Sequence, residues 1–598
     1  MIQPKERSTL TEAMTPPAGF TFDAGIATTY SLDIGTLMAL PLQLAWLATS
    51  DDVSAQKDPI RLLEGLRRTA KRLSVFSDRG HMHIPRIPHA LMGLTEEMIH
   101  EVSAPHGGAF HPKVWVLRFL PEDARKDPCI RLLILSRNLT DDRSWDLNLC
   151  LEGTPKGGIH KENREIAAFV RSLPKWAHKR LPPERQQDIE SLADGLHRCK
   201  WDYPGAFEEI AFHVVGTGPK PRPLSFPEAD EAVIISPFVR DKAVRTIAEN
   251  VGTPVALVSR SEELELLSEE TRSMFGRVDV LHDDADSGSE EELSSAACRG
   301  LHAKAVVLRR GWWTSVYVGS ANCTTAAMVA GTNVEVMAEL TGRHSKVGTP
   351  ADWLSDKGMG SLLVPFTSSG TDAVQEQRAI EDALERCRKA IIQAGLTLNC
   401  ERCDDGGYRL ELRGTDALAG IGAEVWAWPL TVPSERKVAV SLTPACELGL
   451  YAPQDVTSLT GFQVRLAGHE LAFGVELPLA NPPVDREAGV LALILRNRAA
   501  FLRYVTLLLG ESSEHQLSPD GEGSGTWLGL SALEDDAPPL FELLVKAFSR
   551  DASKLNYVAT AVEKLRQAES DSGEELIPPE FLHIWQTIEQ ARRLERTR

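Results

Sequence analysis

Two short motifs of the same kind recur in the chain. Residues 111–118 read HPKVWVLR, and residues 302–309 read HAKAVVLR. In each motif a histidine and a lysine stand two positions apart in a segment that predicts a β-strand, so both side chains point to one face. Imidazole can attack phosphorus or carry a proton, and an ammonium group can hold an anionic oxygen. The motifs therefore predict chemistry on an anionic substrate.

Each motif is followed by a second predicted strand that ends in Ser-x-Asn. A single His-x-Lys is most often a core histidine beside a lysine at a strand edge, whereas two complete units argue against chance. The candidate residues are His111, Lys113, Ser136, Asn138 and Asn148 in the first copy, and His302, Lys304, Ser320, Asn322, Asn333 and Glu335 in the second.

The repeated unit resembles the phospholipase D superfamily, whose signature is HxK, four residues, Asp, and then GSxN. The chain departs from this signature, because Arg118 and Arg309 stand at the two Asp positions and Leu135 replaces the first GSxN glycine. Cys150 stands roughly where the first copy would carry its later Glu. The loss of both Asp residues and the stretch NLTDDRSW at 138–145 resemble the tyrosyl-DNA phosphodiesterase branch and its bacterial relatives.

The resemblance covers about residues 20–350 and implies two lobes about a pseudo-twofold axis that share one site. It implies His111 as the nucleophile, which forms a phosphohistidine, and His302 as the acid and base, although the halves look equivalent in sequence. The implied oxygen-holding groups are Lys113, Lys304, Asn138 and Asn322, the implied further catalytic group is Glu335, and the implied substrate-binding residues are Ser136, Ser320, Asn148 and Asn333. Four such donors can stabilise the developing charge, so neither a metal nor another cofactor is expected.

Arginine cannot accept the hydrogen bond through which the signature's Asp would orient a histidine or lysine. We therefore expect a carboxylate or carbonyl from elsewhere to orient each imidazole, with Glu335 as the best candidate for one of them.

The fold class expected is α/β, with two phospholipase D-like lobes of mixed sheet flanked by helices, then a mostly β module and a C-terminal helical segment. The predicted divisions are 1–212, 213–360, 361–485 and 486–598. Within them the patterns predict helices over residues 262–275 and 486–509, among others.

The chain has 598 residues, with 65 Lys and Arg against 84 Asp and Glu, a net charge of −19. Such a charge disfavours bulk attraction to nucleic acid or anionic lipid but leaves room for a local basic groove. The nine cysteines follow no disulfide pattern and predict a cytoplasmic protein, and no segment predicts a membrane span. An acidic run at 283–292 predicts either a solvated insertion or a polyanion that competes with substrate for the lysines.

The leading hypothesis is a metal-independent phosphodiesterase that acts on nucleic acid, as a nuclease or a DNA-processing enzyme. The C-terminal region is expected to dock a protein partner such as a helicase, within a bacterial antiviral defence complex. The alternatives are a lipid phosphodiesterase and a catalytically silent scaffold that binds nucleic acid or protein. The sequence leaves the substrate, the strand preference and the oligomeric state open.

Overall fold

The computed structural model describes residues 10–45, 58–141, 144–282, 300–356, 358–368, 372–404, 406–509, 540–573 and 575–596. The acidic run at 283–292 lies outside these described residues. The strands form sheets of seven, eight, four and four members.

The first lobe is a seven-stranded mixed sheet with helices. Its strands are β1 (Phe20–Thr29), β2 (Leu73–Asp78), β3 (Ile99–Val102), β4 (Val114–Pro121), β5 (Cys129–Leu135), β6 (Asn148–Pro155) and β7 (Cys199–Trp201). Its helices are α1 (Leu10–Met14), α2 (Ile34–Leu44), α3 (Pro59–Thr69), α4 (Arg164–Trp176) and α5 (Pro183–His197). The strand order is β3-β2-β1-β4-β5-β6-β7, with β1 to β3 parallel and the other pairs antiparallel.

The second lobe is an eight-stranded sheet. Its strands are β8 (Glu209–Val215), β9 (Ala229–Ile235), β10 (Val251–Val258), β11 (Arg277–Leu281), β12 (Ala305–Arg310), β13 (Trp313–Gly319), β14 (Glu335–Arg343) and β15 (Leu363–Pro365). Its helices are α6 (Asp241–Ala248), α7 (Ser261–Glu265), α8 (Glu269–Arg272), α9 (His344–Val347) and α10 (Pro350–Trp353). The order is β15-β11-β10-β9-β12-β13-β14-β8. Strand β8, within which the predicted division at 212 falls, pairs with β14.

The two sheets repeat one topology. Strands β1 to β6 and β9 to β14 have the same order and the same pattern of parallel and antiparallel pairs. Val116 of β4 and Val307 of β12 belong to one shared apolar core between the lobes, whereas Trp115 and Leu117 face a second core that includes helices. Both faces of β4 are therefore buried, which explains its nearly continuous apolar run.

An accessory module, defined here as residues 372–480, follows the lobes. It contains α11 (Asp372–Gln393), β16 (Thr397–Arg402), β17 (Tyr408–Arg413), β18 (Glu424–Pro429), β19 (Val438–Ala439), β20 (Ala445–Tyr451), β21 (Leu459–Leu466), β22 (His469–Glu476) and β23 (Leu479–Ala480). The strands form the sheets β20-β17-β16-β23 and β19-β18-β21-β22, which share one apolar core.

Five helices complete the described chain. They are α12 (Arg486–Ile494), α13 (Arg498–Leu509), α14 (Leu540–Arg550), α15 (Lys554–Ser572) and α16 (Pro579–Arg596). They pack on the first lobe, where the Tyr504 hydroxyl donates to Glu64 at 3.3 Å and Arg503 donates to Asp58 at 2.9 Å. None of the helices in the described ranges has the length and apolar character needed to span a membrane.

The predicted fold class is confirmed. Two predicted helices are wrong, because each segment contains an internal N-cap residue at which a second helix begins. The helix predicted over 262–275 is two helices, since the Ser268 hydroxyl accepts a hydrogen bond from Thr271 N at 3.3 Å and begins α8. The helix predicted over 486–509 also divides, because Asn497 Oδ1 accepts from Ala500 N at 2.9 Å and caps α13.

Glu101, in β3, is buried where the first lobe meets the accessory module. Its carboxylate accepts a hydrogen bond from Gly80 N at 3.2 Å and lies 3.7 Å from the Arg79 guanidinium. Burial, reinforced by the nearby Glu476 carboxylate, raises the pKa of Glu101 to about 8. This carboxyl group is therefore protonated in the folded protein under conditions in which it would be ionised in the unfolded chain.

Glu101 should make folding stability depend on pH. The folded group holds its proton up to about pH 8, whereas the unfolded group releases it near 4.5. The folding stability that the protonated Glu101 contributes is fully present below the unfolded pKa and is lost as the pH rises through the folded pKa. The free energy of unfolding falls over this range by up to about 1.4 kcal/mol per pH unit. We expect Glu101→Gln, which cannot ionise, to flatten this decline in urea unfolding free energy, whereas Glu97→Gln at an exposed position leaves it intact. An unchanged slope in Glu101→Gln contradicts this explanation.

Candidate active site

Backbone hydrogen bonds between the lobes bring the two His-x-Lys motifs together. His111, just before β4, donates its amide N–H to Val334 O of the second lobe at 3.0 Å. His302, just before β12, donates its amide N–H to Trp145 O of the first lobe at 2.8 Å. Each histidine is therefore anchored by the lobe to which it does not belong, and the site lies on the boundary between lobes.

This boundary requires close contact between backbones. A Cβ atom on Gly108 would lie 2.4 Å from Thr332 O, a distance at which backbone must move. Glycine at 108 therefore permits the approach that joins the segment before His111 to the second lobe.

The two motif lysines are buried in this boundary, each 1% exposed. Lys113 Nζ donates to His111 O at 2.8 Å, and Lys304 Nζ donates to His302 O at 2.9 Å and to Ser136 O at 3.0 Å. Burial and the positive charge of Lys304 lower the pKa of Lys113 well below its usual value. Each lobe thus contributes one cation to a common site.

Glu335 orients the His111 ring. His111 Nδ1 lies 2.9 Å from Glu335 Oε2 and donates to it, and the Ser320 hydroxyl donates to the same oxygen at 2.5 Å. Asn333 Nδ2 donates to the other carboxylate oxygen at 3.2 Å, and Asn333 Oδ1 accepts from Ala109 N at 3.0 Å. A carboxylate of the second lobe therefore fixes an imidazole of the first.

The charges of this pair follow from burial and mutual contact. Burial lowers the pKa of His111, although the Glu335 carboxylate acts in the opposite sense. Burial by itself would raise the pKa of Glu335, but His111, Lys113 and the Ser320 hydroxyl outweigh it and lower that pKa. A neutral imidazole therefore donates from Nδ1 to an ionised carboxylate, which leaves the Nε2 lone pair for attack.

The equivalent carboxylate of the first lobe is Asp146. Trp145 forms a β-bridge with Leu301 of the second lobe, and Val334 forms the matching β-bridge with Phe110 of the first lobe. Asp146 comes directly after Trp145, just as Glu335 comes directly after Val334. The sequence comparison that set Cys150 at this position is wrong, because the segment before β6 is shorter than the spacing of the second copy indicates. The Arg137 guanidinium lies 3.8 Å from the Asp146 carboxylate.

The two motif asparagines occupy matching positions. Leu139 O accepts a hydrogen bond from Asp33 N at 2.8 Å, and Cys323 O accepts one from Arg240 N at 3.0 Å. Asp33 follows β1 and Arg240 follows β9, so the residue after each asparagine is held by the corresponding loop of its own lobe. Within the described part of the chain, Oδ1 of Asn138 and of Asn322 is buried without a hydrogen-bond partner. An amide oxygen accepts hydrogen bonds, so each of these two oxygens is available to a hydrogen-bond donor.

The four predicted substrate-binding residues have different positions. Ser136 and Ser320 are fully buried, and Ser136 Oγ donates to Leu147 O at 3.1 Å while Ser320 Oγ bonds to Glu335. Asn333 bonds to Glu335, and Asn148 is exposed in β6 opposite Leu135. Ser136, Ser320 and Asn333 therefore support the site from within the fold, and contact of Asn148 with substrate stays a prediction.

Arg118 and Arg309, at the positions of the signature's Asp, do not enter the site. Arg118 Nε donates to Asp23 of β1 at 2.5 Å, and Arg309 Nη2 donates to Glu231 of β9 at 2.9 Å. Arg118 comes seven positions after His111, which in an extended strand is a span of about 23 Å. Each arginine therefore pairs with a carboxylate on the neighbouring strand.

Sequence reasoning missed several residues that surround the histidines. The Tyr30 ring lies against the His111 ring, with centroids 5.2 Å apart. Asp78 accepts a hydrogen bond from Phe110 N at 2.8 Å, and Arg260 donates to Leu301 O at 2.9 Å in the matching place of the second lobe. A polar or aromatic residue at the end of β1, β2 or β10 would have marked these positions, but neither β1 nor β2 was predicted from the sequence.

The boundary between the lobes brings together the two motif histidines, two buried ammonium groups and one carboxylate that is bonded to His111. This set can attack an electrophilic centre, protonate a leaving group and hold anionic oxygens. Among the described residues, no group of three or more His, Cys, Asp or Glu side chains is placed to hold a metal ion.

No family model matches the chain, and no curated protein matches it in sequence. Among solved structures, the chain is similar to two mutants of yeast tyrosyl-DNA phosphodiesterase, with 10% identity to each and TM-scores of 0.34 and 0.33. These matches cover 58% and 57% of this chain and 87% of each yeast chain. A third similar structure is the phosphatidylserine synthase of Haemophilus influenzae, with 11% identity, a TM-score of 0.35, and coverage of 64% of this chain and 91% of that one. These neighbours are members of the phospholipase D superfamily, which the sequence motifs resemble.

Proposed function

We propose that the protein is a metal-independent phosphodiesterase that cleaves nucleic acid through a phosphohistidine on His111. The observation that carries this proposal is the bond from His111 Nδ1 to Glu335 at 2.9 Å beside two buried lysines from different lobes. An imidazole held in this way presents Nε2, and the lysines attract the phosphodiester anion.

The proposed reaction has two displacements. His111 Nε2 attacks phosphorus while His302 protonates the leaving oxygen, so a P–N bond forms as the P–O bond breaks. His302 then removes a proton from water, whose oxygen attacks phosphorus and releases His111. Lys113, Lys304 and the two asparagine amides stabilise the charge on the non-bridging oxygens.

A half-buried ledge in the second lobe supports nucleic acid as the substrate. The Arg260 guanidinium lies 5.0 Å from the centre of the Phe238 ring, and Arg260 also bonds to Leu301 O, next to His302. Aromatic rings stack on bases, and guanidinium groups bind phosphates. A helicase bound through the C-terminal helices, within a cytoplasmic defence complex, stays part of this proposal.

The first prediction concerns substrate and metal. We expect cleavage of single-stranded DNA, duplex DNA or RNA that persists in EDTA, with His111→Ala reducing kcat by at least about 10³. His469→Ala, at an exposed position of β22, is the matched control and should retain wild-type rates. Cleavage of a phospholipid in place of nucleic acid supports the lipid alternative, and binding without turnover supports the scaffold. Loss of all turnover in EDTA contradicts the mechanism.

The second prediction concerns the covalent intermediate. With substrate labelled at the scissile phosphate, acid-labile label should appear on His111 during turnover. It should accumulate in His302→Ala when the leaving group needs little protonation, because water is no longer activated. It should be absent from His111→Ala. Label on His302 in the wild-type protein exchanges the two roles, and the absence of label in every variant rejects covalent catalysis.

The third prediction concerns pH. The nucleophile must be neutral, and its pKa lies below the usual 6.5, so activity is lost only as the pH falls through that lowered value. Lys113 must be charged and His302 must be protonated to release the leaving oxygen, so activity is also lost as the pH rises through the lower of their two pKa values, and the pKa of Lys113 lies well below 10.5. The profile of kcat/KM should therefore have an acid limb below pH 6.5 and an alkaline limb below pH 10.5. An acid limb at or above pH 6.5, or an alkaline limb at or above pH 10.5, contradicts the assigned charges of His111 and Lys113.

A further inference from the structure

A short loop of the first lobe lies between the site and the accessory module. This bridging loop, residues 78–83, begins at Asp78, which bonds to Phe110 N at 2.8 Å, next to His111. Farther along, His81 O accepts from Leu32 N at 3.0 Å, and Met82 O accepts from Gly474 N of β22 at 2.7 Å. The loop therefore contacts the site at one end and the accessory module at the other.

Helix α11 of the accessory module packs tightly on the bridging loop. Gly80 has a φ of 75°, and a Cβ atom there would lie 2.1 Å from Ile392 Cδ1. Arg388, one turn earlier on α11, donates from Nη1 to Gly80 O at 3.4 Å. Glycine at this position allows both the left-handed turn and the approach of the helix.

Arg388 also reaches His81. The Arg388 guanidinium donates to His81 Nε2, and the Tyr30 hydroxyl lies 2.5 Å from the same nitrogen. On the other side of the ring, His81 Nδ1 lies 2.8 Å from Asp78 Oδ2, in a close contact that is not aligned as a hydrogen bond. The side chains of Arg388 and His81 are 9% and 11% exposed. The imidazole of His81 is thus held between Asp78, Arg388 and Tyr30.

Tyr30 transmits this arrangement to the site. Its ring lies 5.2 Å from the His111 ring, and Lys113 Nζ lies 6.0 Å from the Tyr30 ring centre. Burial raises the pKa of Tyr30 to about 12, so its hydroxyl stays protonated beside His81. A displaced Tyr30 would leave one face of His111 without its packing partner.

We propose that Arg388, from the accessory module, is a positioning residue for the active site, where it acts through His81 and Tyr30 on His111. This inference rests on the proposed function, because its kinetic test needs turnover. The α11 helix completes the wall of a site whose other groups come from the two lobes. The accessory module therefore belongs to the working enzyme.

The kinetic test compares variants of α11 in the full chain. Arg388→Gln removes the cation that holds His81, and we expect kcat to fall about tenfold with KM changed by less than about twofold, because the phosphate-holding lysines remain. Tyr30→Phe should lower kcat to a similar extent, and the double variant should lose little more, since both changes break one chain of contacts. Arg386→Gln, at an exposed position of the same helix, removes the same charge and should behave as wild type.

A second measurement needs no turnover. In protein labelled with ¹⁵N-histidine, the His81 and His111 ring signals are assigned by their absence in His81→Gln and His111→Asn. Both sets should shift in Arg388→Gln and in Tyr30→Phe, but not in Arg386→Gln. Should Arg388→Gln fail to fold, Tyr30→Phe, which removes one oxygen atom, gives the same readout.

The two tests separate the two proposals. Wild-type protein without phosphodiesterase turnover rejects the proposed function, and the histidine signals then decide the inference by themselves. Unchanged kcat and unchanged His111 signals in Arg388→Gln overturn the inference while the proposed function stands. Equal losses in Arg388→Gln and Arg386→Gln also overturn it, because a general effect of charge on α11 would then explain the result.

Discussion

The exchange of backbone hydrogen bonds between the lobes is the constraint on which the site depends. The His111 backbone is held by Val334 and the His302 backbone by Trp145, so neither histidine is anchored by its own lobe alone. The bonds satisfy polar backbone groups that would otherwise be buried without partners between two apolar sheet faces. The bonds that join the two lobes thus also position the candidate catalytic residues, and a lobe folded alone would hold only half of the candidate site.

Burial leaves this site with more positive than negative charge. Lys113 and Lys304 are both 1% exposed and repel each other, while Glu335 supplies one negative charge that is committed to His111 and Ser320. Buried charge is costly unless it is compensated. A phosphodiester between the lysines would provide the missing negative charge. Binding it would relieve the unfavourable free energy of burying the two lysines, and this relief would strengthen binding.

The sequence predicts the parts of the site that lie at short, regular spacing. His111 and Lys113 share a face because strand geometry fixes a period of two residues, and Glu335 was correctly expected to orient a histidine. Tyr30, Asp146 and Arg388 were not found, because nothing local marks them. Arg388 is one arginine among several on a charged helix until the fold sets α11 against Gly80, and Asp146 is recognised only once Trp145 is seen to bridge to Leu301.

The topological repeat does not make the two histidines chemically equal. At the ends of β2 and β10 the first lobe has Asp78 and the second has Arg260, and both bond to the backbone just before a motif histidine. His111 is therefore enclosed by a carboxylate-bearing loop that the accessory module covers, whereas the second histidine lies next to the Arg260–Phe238 ledge. Since the proposed reaction needs one neutral nucleophile and one proton carrier, the neighbours supplied by the rest of the chain, and not the repeated motif, distinguish the two proposed roles.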